Sequence, residues 1–111
     1  MKGSSEFTTG VKAQTTSIPS SYSLKQNYPN PFNLTTNIEY SLDKPGRVTL
    51  NIYNNLGQKV KTLVKERKVA GFHTVQWDGT DLKGRKVGTG IYFYKVEVDG
   101  RQFTKKMILI K

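Results

Sequence analysis

The sequence predicts an all-β fold, an antiparallel β-sandwich of about seven short strands joined by tight turns. Apolar residues alternate with polar residues in several short runs, as they do in strands that bury one face. Residues that favour turns separate these runs at short intervals. No stretch shows a helical period, and 111 residues leave room for one domain with a modest core.

The first strands follow from this alternation. A run from Thr36 to Leu42 alternates cleanly, and Asp43 to Gly46 has the composition of a turn. A second alternating run then extends to Tyr53. The sequence Asn54 to Gly57 favours a tight hairpin, which would return the chain as a partner strand from Val60 to Val64.

The later strands are separated by one long loop. The run from Gly71 to Asp78 places Val75 and Trp77 on one face, and a loop rich in Gly, Asp and Lys follows it. Ile91 to Val98 is aromatic and β-branched, as strands prefer. Asp99-Gly100 is a strong hairpin signal, and Phe103 to Ile110 would pair back as the last strand. Strands of this number and spacing suggest an immunoglobulin-like sandwich.

Composition and charge limit the functions that this chain can have. The net charge of +10 will attract acidic polymers such as nucleic acid, lipopolysaccharide phosphates or acidic polysaccharide. Because cysteine is absent, disulfides, thiolate zinc sites and a cysteine nucleophile are excluded. No apolar run reaches the roughly 18 residues of a membrane-spanning helix.

Residues 1–21 are rich in Thr, Ser, Gly and Gln and show no strand or helical period. We expect a flexible linker or tag here, followed by one domain over residues 22–111. Within the tag, Gly3 to Phe7 resembles vector-derived sequence. Met1 to Gly10 has no apolar stretch of the signal-peptide kind, so for an exported protein we expect a C-terminal fragment without its signal peptide.

The most unusual segment runs from position 27 to position 33. Its residues are Asn27, Tyr28, Pro29, Asn30, Pro31, Phe32 and Asn33. The two prolines fix φ and remove two backbone donors, so the segment does not fit a central strand. The asparagine side chains suit turns. We therefore predict an extended loop that seals the core, with Tyr28 and Phe32 both packed against the edge of the sandwich.

Several motifs, in order, resemble the type A C-terminal sorting domain of the bacterial type IX (Por) secretion system. They are Asn27 to Asn33, the turn formed by Trp77, Asp78 and Gly79, the step Gly90-Ile91-Tyr92, and the terminal run Lys106 to Lys111. The likeness covers residues 22–111. Leu34 stands where the family more often has proline, and Thr89 where serine is commoner. The first two motifs are expected to be structural.

The resemblance implies a sorting signal and no enzyme activity or cofactor. Cargo attached at the N-terminal side would enter the periplasm with its own signal peptide and then reach the type IX translocon in the outer membrane. A sortase resembling a cysteine peptidase would remove the domain before Tyr22, leaving the cargo at the cell surface or secreted. The residues expected to be recognised by this machinery are Gly90, Tyr92, Lys106, Met107 and Lys111. An exposed last strand would also allow self-association through its edge.

Two other functions are compatible with the same fold. One is an accessory module that binds carbohydrate, or joins domains, in a secreted glycoside hydrolase, with Tyr92, Tyr94 and Phe103 as candidates for stacking on sugars. A planar strip of exposed aromatics would favour it, and buried aromatics would count against it. The other is a flagellar-hook-capping-like sandwich, which shares the Gly-x-Tyr-Phe-Tyr pattern but not the opening segment.

A few residues also invite a metal, catalytic or nucleic-acid interpretation. Asp78 and Asp81 lie among glycines as in a calcium loop, but they lack EF-hand spacing and also suit turns. His73 has no nucleophile or second histidine in a recognisable pattern, so we expect a structural or surface role. Basic residues cluster at 59–68 and 83–86, but no nucleic-acid recognition motif accompanies them, and no nucleic-acid partner is expected.

Overall fold

The computed structural model describes residues 18–110, and the first 17 residues of the predicted linker lie outside the described residues. The described residues form seven strands. They are β1 (Ser23–Leu24), β2 (Thr36–Leu42), β3 (Gly46–Asn54), β4 (Lys59–Lys68), β5 (Gly71–Trp77), β6 (Gly90–Val98) and β7 (Arg101–Leu109). A small sheet has the order β1-β2-β5 and a large sheet the order β4-β3-β6-β7, with all neighbours antiparallel. The predicted all-β sandwich is confirmed.

The hairpins follow from local turn chemistry. Asn54 closes the β3–β4 hairpin, where its side-chain oxygen accepts bonds from the backbone N–H groups of Leu56 and Gln58. Asp99 and Gly100 join β6 to β7 with φ angles of 50° and 79°. Two successive residues with positive φ match the right-handed twist of the flanking strands. Both hairpins agree with the sequence prediction.

The core lies between the two sheets and consists of the inward residues of the alternating strands. Its largest fully buried side chains include Trp77, Tyr40, Tyr94 and Phe32. Trp77 lies at the centre of an aromatic group, with its ring centroid 5.7 Å from that of Phe32 and 5.4 Å from that of Tyr92. Aromatic rings at such separations and tilts stabilise one another beyond their burial.

The sandwich exposes edge strands that are protected in two ways. β4 ends one side of the large sheet, where lysine and arginine side chains oppose pairing with another chain. β7 ends the other side and packs beside β1 of the small sheet. The described residues contain no helix that is long and apolar enough to cross a membrane. β7 carries the predicted recognition residues Lys106 and Met107, and the neighbouring strand β6 carries Gly90 and Tyr92.

Candidate recognition site at the terminal strand

The edge of β7 is partly covered by the segment that precedes β2. The backbone N–H of Phe32 donates to the carbonyl of Ile108 at 3.0 Å, and the N–H of Ile110 donates to the carbonyl of Phe32 at 2.8 Å. Phe32 therefore forms a short parallel bridge opposite Leu109. The end of the terminal strand is paired on both sides as a result.

Two side chains extend this cover. Asn30 Oδ1 accepts a hydrogen bond from the N–H of Ile108 at 3.0 Å. Gln26 Nε2 donates to the carbonyl of Lys106 at 2.7 Å. Outward-facing backbone groups of an edge strand attract other strands, and these contacts occupy them from Lys106 to Ile110. The exposed terminal strand that was predicted is thus closed over its last third.

Asn27 fixes the start of this covering segment. Its side chain is almost fully buried, and Nδ2 donates to the carbonyl of Pro29 at 3.1 Å and to Thr36 Oγ1 at 2.9 Å. Its backbone N–H donates to the hydroxyl of Tyr94 at 2.8 Å, and that hydroxyl donates to the carbonyl of Lys25 at 2.7 Å. Buried polar groups need such partners, so this network locks the segment onto β6.

The two aromatic residues of the segment have opposite environments. Phe32 is 1% exposed, as predicted, but Tyr28 is 78% exposed, so the prediction that both rings pack against the edge is wrong for Tyr28. The reason is a backbone bridge, since Tyr28 and Asn37 exchange two hydrogen bonds of 2.9 Å. Side chains of a bridged pair share a face, and Asn37 is on the outer face of β2. The Tyr28-Pro29 and Asn30-Pro31 peptide bonds are both cis.

Gly90 and Tyr92 have structural roles at the start of β6. Gly90 has a φ of 154°, which L-residues rarely adopt, so a side chain here would strain the backbone. Tyr92 is buried, and its hydroxyl donates to the carbonyl of Gly88 at 2.6 Å. Burial raises the pKa of Tyr92. Only a small part of Tyr92 is exposed, in a recess that Lys59 and Val60 also line.

The terminal residues lie next to these two through the strand register. Met107 is the partner of Tyr92 and Lys106 the partner of Phe93. Met107 is fully buried, whereas the side chain of Lys106 is exposed on the opposite face. Lys111 lies outside the described residues. The structure therefore brings four of the five predicted recognition residues together, and Lys106 is the one of these four whose side chain is open to a partner.

The turn after β5 is built around Trp77. The indole Nε1 donates to the carbonyl of Thr80 at 2.9 Å, which orients the buried ring. Asp78 accepts bonds from both the hydroxyl and the N–H of Thr80. The hydroxyl bond holds the pKa of Asp78 below its usual value. Gly79 follows with a φ of 75°, which explains the glycine at this position.

Asp81 continues the same loop as a turn residue. It accepts bonds from the N–H groups of Arg85 and Lys83, and the bond from Arg85 holds its pKa below the usual value. Its carboxylate also pairs with the Arg85 side chain at 3.4 Å. Within residues 18–110, no group of three or more His, Cys, Asp or Glu side chains is placed to hold a metal ion. The hydrogen bonds within the loop explain why Asp78 and Asp81 occupy these positions.

His73 is held by structural contacts. Its Nε2 lies 2.8 Å from the carbonyl of Val69, and its ring stacks on Tyr40 with the centroids 5.3 Å apart.

The aromatic residues predicted to stack on sugars do not form a binding surface. Tyr94 and Tyr92 are buried, and Phe103 packs edge-on against Tyr22 with centroids 5.9 Å apart. These three residues do not form a planar exposed strip, which counts against a carbohydrate module that stacks sugars on them.

Sequence reasoning missed two parts of this surface. The strand alternation along β6 places Phe93 on the face opposite Tyr92 and Tyr94, so the pattern itself could have identified Phe93 as the outward aromatic. Gln26 left no such signal, because the carbonyl that it contacts is 80 residues away in the sequence.

Comparisons with known proteins agree with this architecture. Residues 32–102 match the family described as the FlgD Ig-like domain, which confirms the immunoglobulin-like fold. A search against curated protein sequences found no match. Among solved structures, the dimeric latent PorU from Porphyromonas gingivalis has a TM-score of 0.66 at 23% identity, with 83% of this chain and 10% of that chain covered.

Two further structures are similar in fold. PorZ from P. gingivalis, described as an essential bacterial surface component of the type-IX secretion system, has a TM-score of 0.57 at 16% identity, with 92% of this chain and 12% of that chain covered. FlgD from P. aeruginosa has a TM-score of 0.56 at 20% identity, with 80% of this chain and 74% of that chain covered. The chain thus spans only a small part of PorU and PorZ.

Proposed function

Because the chain belongs to the FlgD Ig-like domain family, we propose that residues 22–111 are a form of this domain that serves as a type A C-terminal sorting signal of the type IX secretion system. The cargo is attached on the N-terminal side. The domain directs that cargo from the periplasm to the outer-membrane translocon, and a sortase then removes the domain within the linker. The cargo ends at the cell surface or in the medium, and the domain itself catalyses no reaction.

One observation carries this proposal. The family match begins at residue 32 and ends at residue 102, so it leaves out most of the opening segment and all but the start of β7. These two segments hold two of the four motifs that resemble sorting domains, and they contact each other. Asn30 and Gln26 hydrogen-bond to the backbone of β7, which joins the two ends of the domain into one unit.

The similar structures support a link to the type IX secretion system and not the sorting role itself. PorU and PorZ resemble this chain over more of its length than FlgD does. PorZ is described as a component of the type-IX secretion system, which is the system that the sorting motifs suggest. At these identities the likeness concerns the fold, and the assignment of the system to this chain depends on the motifs.

The exposed side chain of Lys106 is the contact that we propose for the machinery. Met107 and Tyr92 anchor β6 and β7 to the core from the inner face, so they hold Lys106 in position. Gly90 supports the same arrangement through its backbone conformation. Lys106 offers a cationic side chain on a strand whose backbone groups are already occupied, so recognition here depends on the side chain and not on strand addition.

Export of a reporter tests this function. A signal peptide, a fluorescent protein and residues 22–111 are joined and expressed in a bacterium with a working type IX system. Deleting Lys106 to Lys111 would remove buried Met107 and Leu109 and unfold the domain, so a point variant is the sharper test. We expect Lys106→Ala to leave most of the reporter in the periplasm. Thr104→Ala, on the same face of the same strand, should be exported normally.

Thermal unfolding of both variants establishes that the fold is retained, since both positions are exposed. Equal export of the two variants would remove Lys106 from the proposal. Retention of the unmodified fusion in a host that exports a known type IX cargo would contradict the sorting function itself.

A further inference from the structure

The outer face of the large sheet carries an aromatic pair between two lysines. In the strand register, Lys59 of β4 is opposite Tyr53 of β3, Tyr53 is opposite Phe93 of β6, and Phe93 is opposite Lys106 of β7. Cross-strand partners share a face, and neighbouring strands lie about 4.8 Å apart. Tyr53, Phe93 and Lys106 therefore form one row across three strands, and Lys59 flanks it beyond a β-bulge in the β3–β4 ladder.

A shallow recess lies beside this row. Lys95 places its Nζ 5.3 Å from the centroid of the Tyr53 ring, and Thr104 is its partner on β7. The recess has a volume of about 380 Å³ and ends at the β3–β4 hairpin. Its lining residues are Tyr53, Phe93, Lys95, Thr104, Asn54, Asn55 and Gly57. It thus combines an aromatic floor with amide, hydroxyl and ammonium groups.

Charge is distributed unevenly around this face. Cationic residues lie on the outer face of every strand of the large sheet, namely Arg47, Lys59, Lys65, Arg67, Lys95 and Lys106. Glu97 pairs with Lys95 at 3.4 Å and lies towards the opposite end, near Asp99. The outer face of the small sheet is mostly neutral, and its Glu39 pairs with Lys25. The outer face of the large sheet is therefore more basic than that of the small sheet, with Lys95 and Lys106 near the aromatic end and Arg47, Lys65 and Arg67 at the other.

We propose that this face binds an acidic polysaccharide, a chain of sugar rings that carry carboxylates. The apolar face of a sugar ring packs against the exposed part of Phe93, beside the Tyr53 ring that Lys95 covers. The carboxylates pair with the ammonium group of Lys106 and with that of Lys95, which also contacts Glu97 at 3.4 Å. The Asn55 amide and the Thr104 hydroxyl, on the rim, hydrogen-bond to ring hydroxyls.

The same surface is less suited to single-stranded nucleic acid. A base needs an open ring face for stacking. Tyr53 and Phe93 are both partly buried, and the ammonium group of Lys95 lies over the Tyr53 ring. A sugar ring has a smaller apolar face and gains hydrogen bonds from the rim of the recess. This proposal shares Lys106 with the export proposal, but it concerns polymer binding by the purified chain, so the two proposals can fail separately.

Calorimetry with the full chain tests it, using polygalacturonate as the acidic polymer, dextran as a neutral one and oligothymidylate as a nucleic acid. We expect binding to polygalacturonate that weakens with salt, with no detectable binding to dextran. Ring resonances of Tyr53 and Phe93 should shift on titration. Removing two charged contacts with Lys95→Gln and Lys106→Gln should weaken binding roughly tenfold.

A matched double variant, Lys44→Gln with Lys83→Gln, lowers the net charge equally at exposed positions away from the recess. It should weaken binding less than about twofold, since long-range charge effects are screened by salt. An equal loss in both double variants would show general attraction to the net charge and overturn the site. Tighter binding of oligothymidylate than of polygalacturonate at the same salt would overturn the ligand class.

Discussion

At the scale of single residues, two aromatic side chains of the opening segment have opposite environments. Phe32 fills the core against Trp77, while Tyr28, four positions earlier, is directed outward by its backbone bridge to Asn37. Composition cannot separate the two, because both are aromatic and both lie beside a proline. The difference arises from which strand each residue contacts.

We predict that Phe32→Ala and Tyr28→Ala differ strongly in stability. Phe32 is 1% exposed, so its truncation leaves a cavity and should lower the free energy of unfolding by about 3–5 kcal/mol. Tyr28 is 78% exposed, and its truncation should change stability by no more than about 0.5 kcal/mol. Urea unfolding of both variants measures this. Similar losses for the two would mean that the segment packs differently.

At the scale of strands, much could be predicted because the signals are local. The alternation of apolar and polar residues predicted which side chains of β2 face the core, and Asp99-Gly100 predicted the position of the last hairpin. The cover on β7 could not be predicted in this way, since Asn30 and Ile108 are 78 residues apart. Their contact depends on the folded sandwich, which brings the opening segment beside the terminal strand. The resemblance to a family suggested that both segments matter, but not that they touch.

This contact predicts a local effect of Asn30→Ala. The substitution removes the side-chain acceptor of the Ile108 amide, which then has only solvent on that side. A single hydrogen bond contributes about 1 kcal/mol, so exchange of the Ile108 amide hydrogen should become roughly fivefold faster. Hydrogen exchange followed by NMR measures it. Asn33→Ala, an exposed position in the same segment, is the control, and equal acceleration there would contradict the specific contact.

At the scale of the whole molecule, the two sheets each contribute a tyrosine to the shared core. Tyr40 lies on β2 and Tyr94 on β6, and both side chains are almost fully buried. Burial raises the pKa of each hydroxyl to about 12. The sandwich therefore contains two acidic groups that stay neutral in the folded state over a range where the unfolded chain ionises them.

The sign of the pH effect follows from this difference. The unfolded tyrosines lose their protons near their ordinary pKa of 10.0, and the folded ones near pH 12. Between these values the unfolded state binds fewer protons, so the free energy of unfolding falls as pH rises. The loss approaches about 2–3 kcal/mol for each tyrosine by pH 12. Below pH 10, these two groups should leave stability unchanged.

Urea unfolding between pH 8 and pH 12 tests this, with Tyr94→Phe as the comparison. At neutral pH the variant should be less stable by about 1–3 kcal/mol, because the buried N–H of Asn27 loses the hydroxyl that accepts its bond. Above pH 10 the variant should lose stability less steeply than the unmodified chain, since one of the two titrating groups is gone. Parallel pH profiles for the two proteins would show that Tyr94 does not contribute to the alkaline transition.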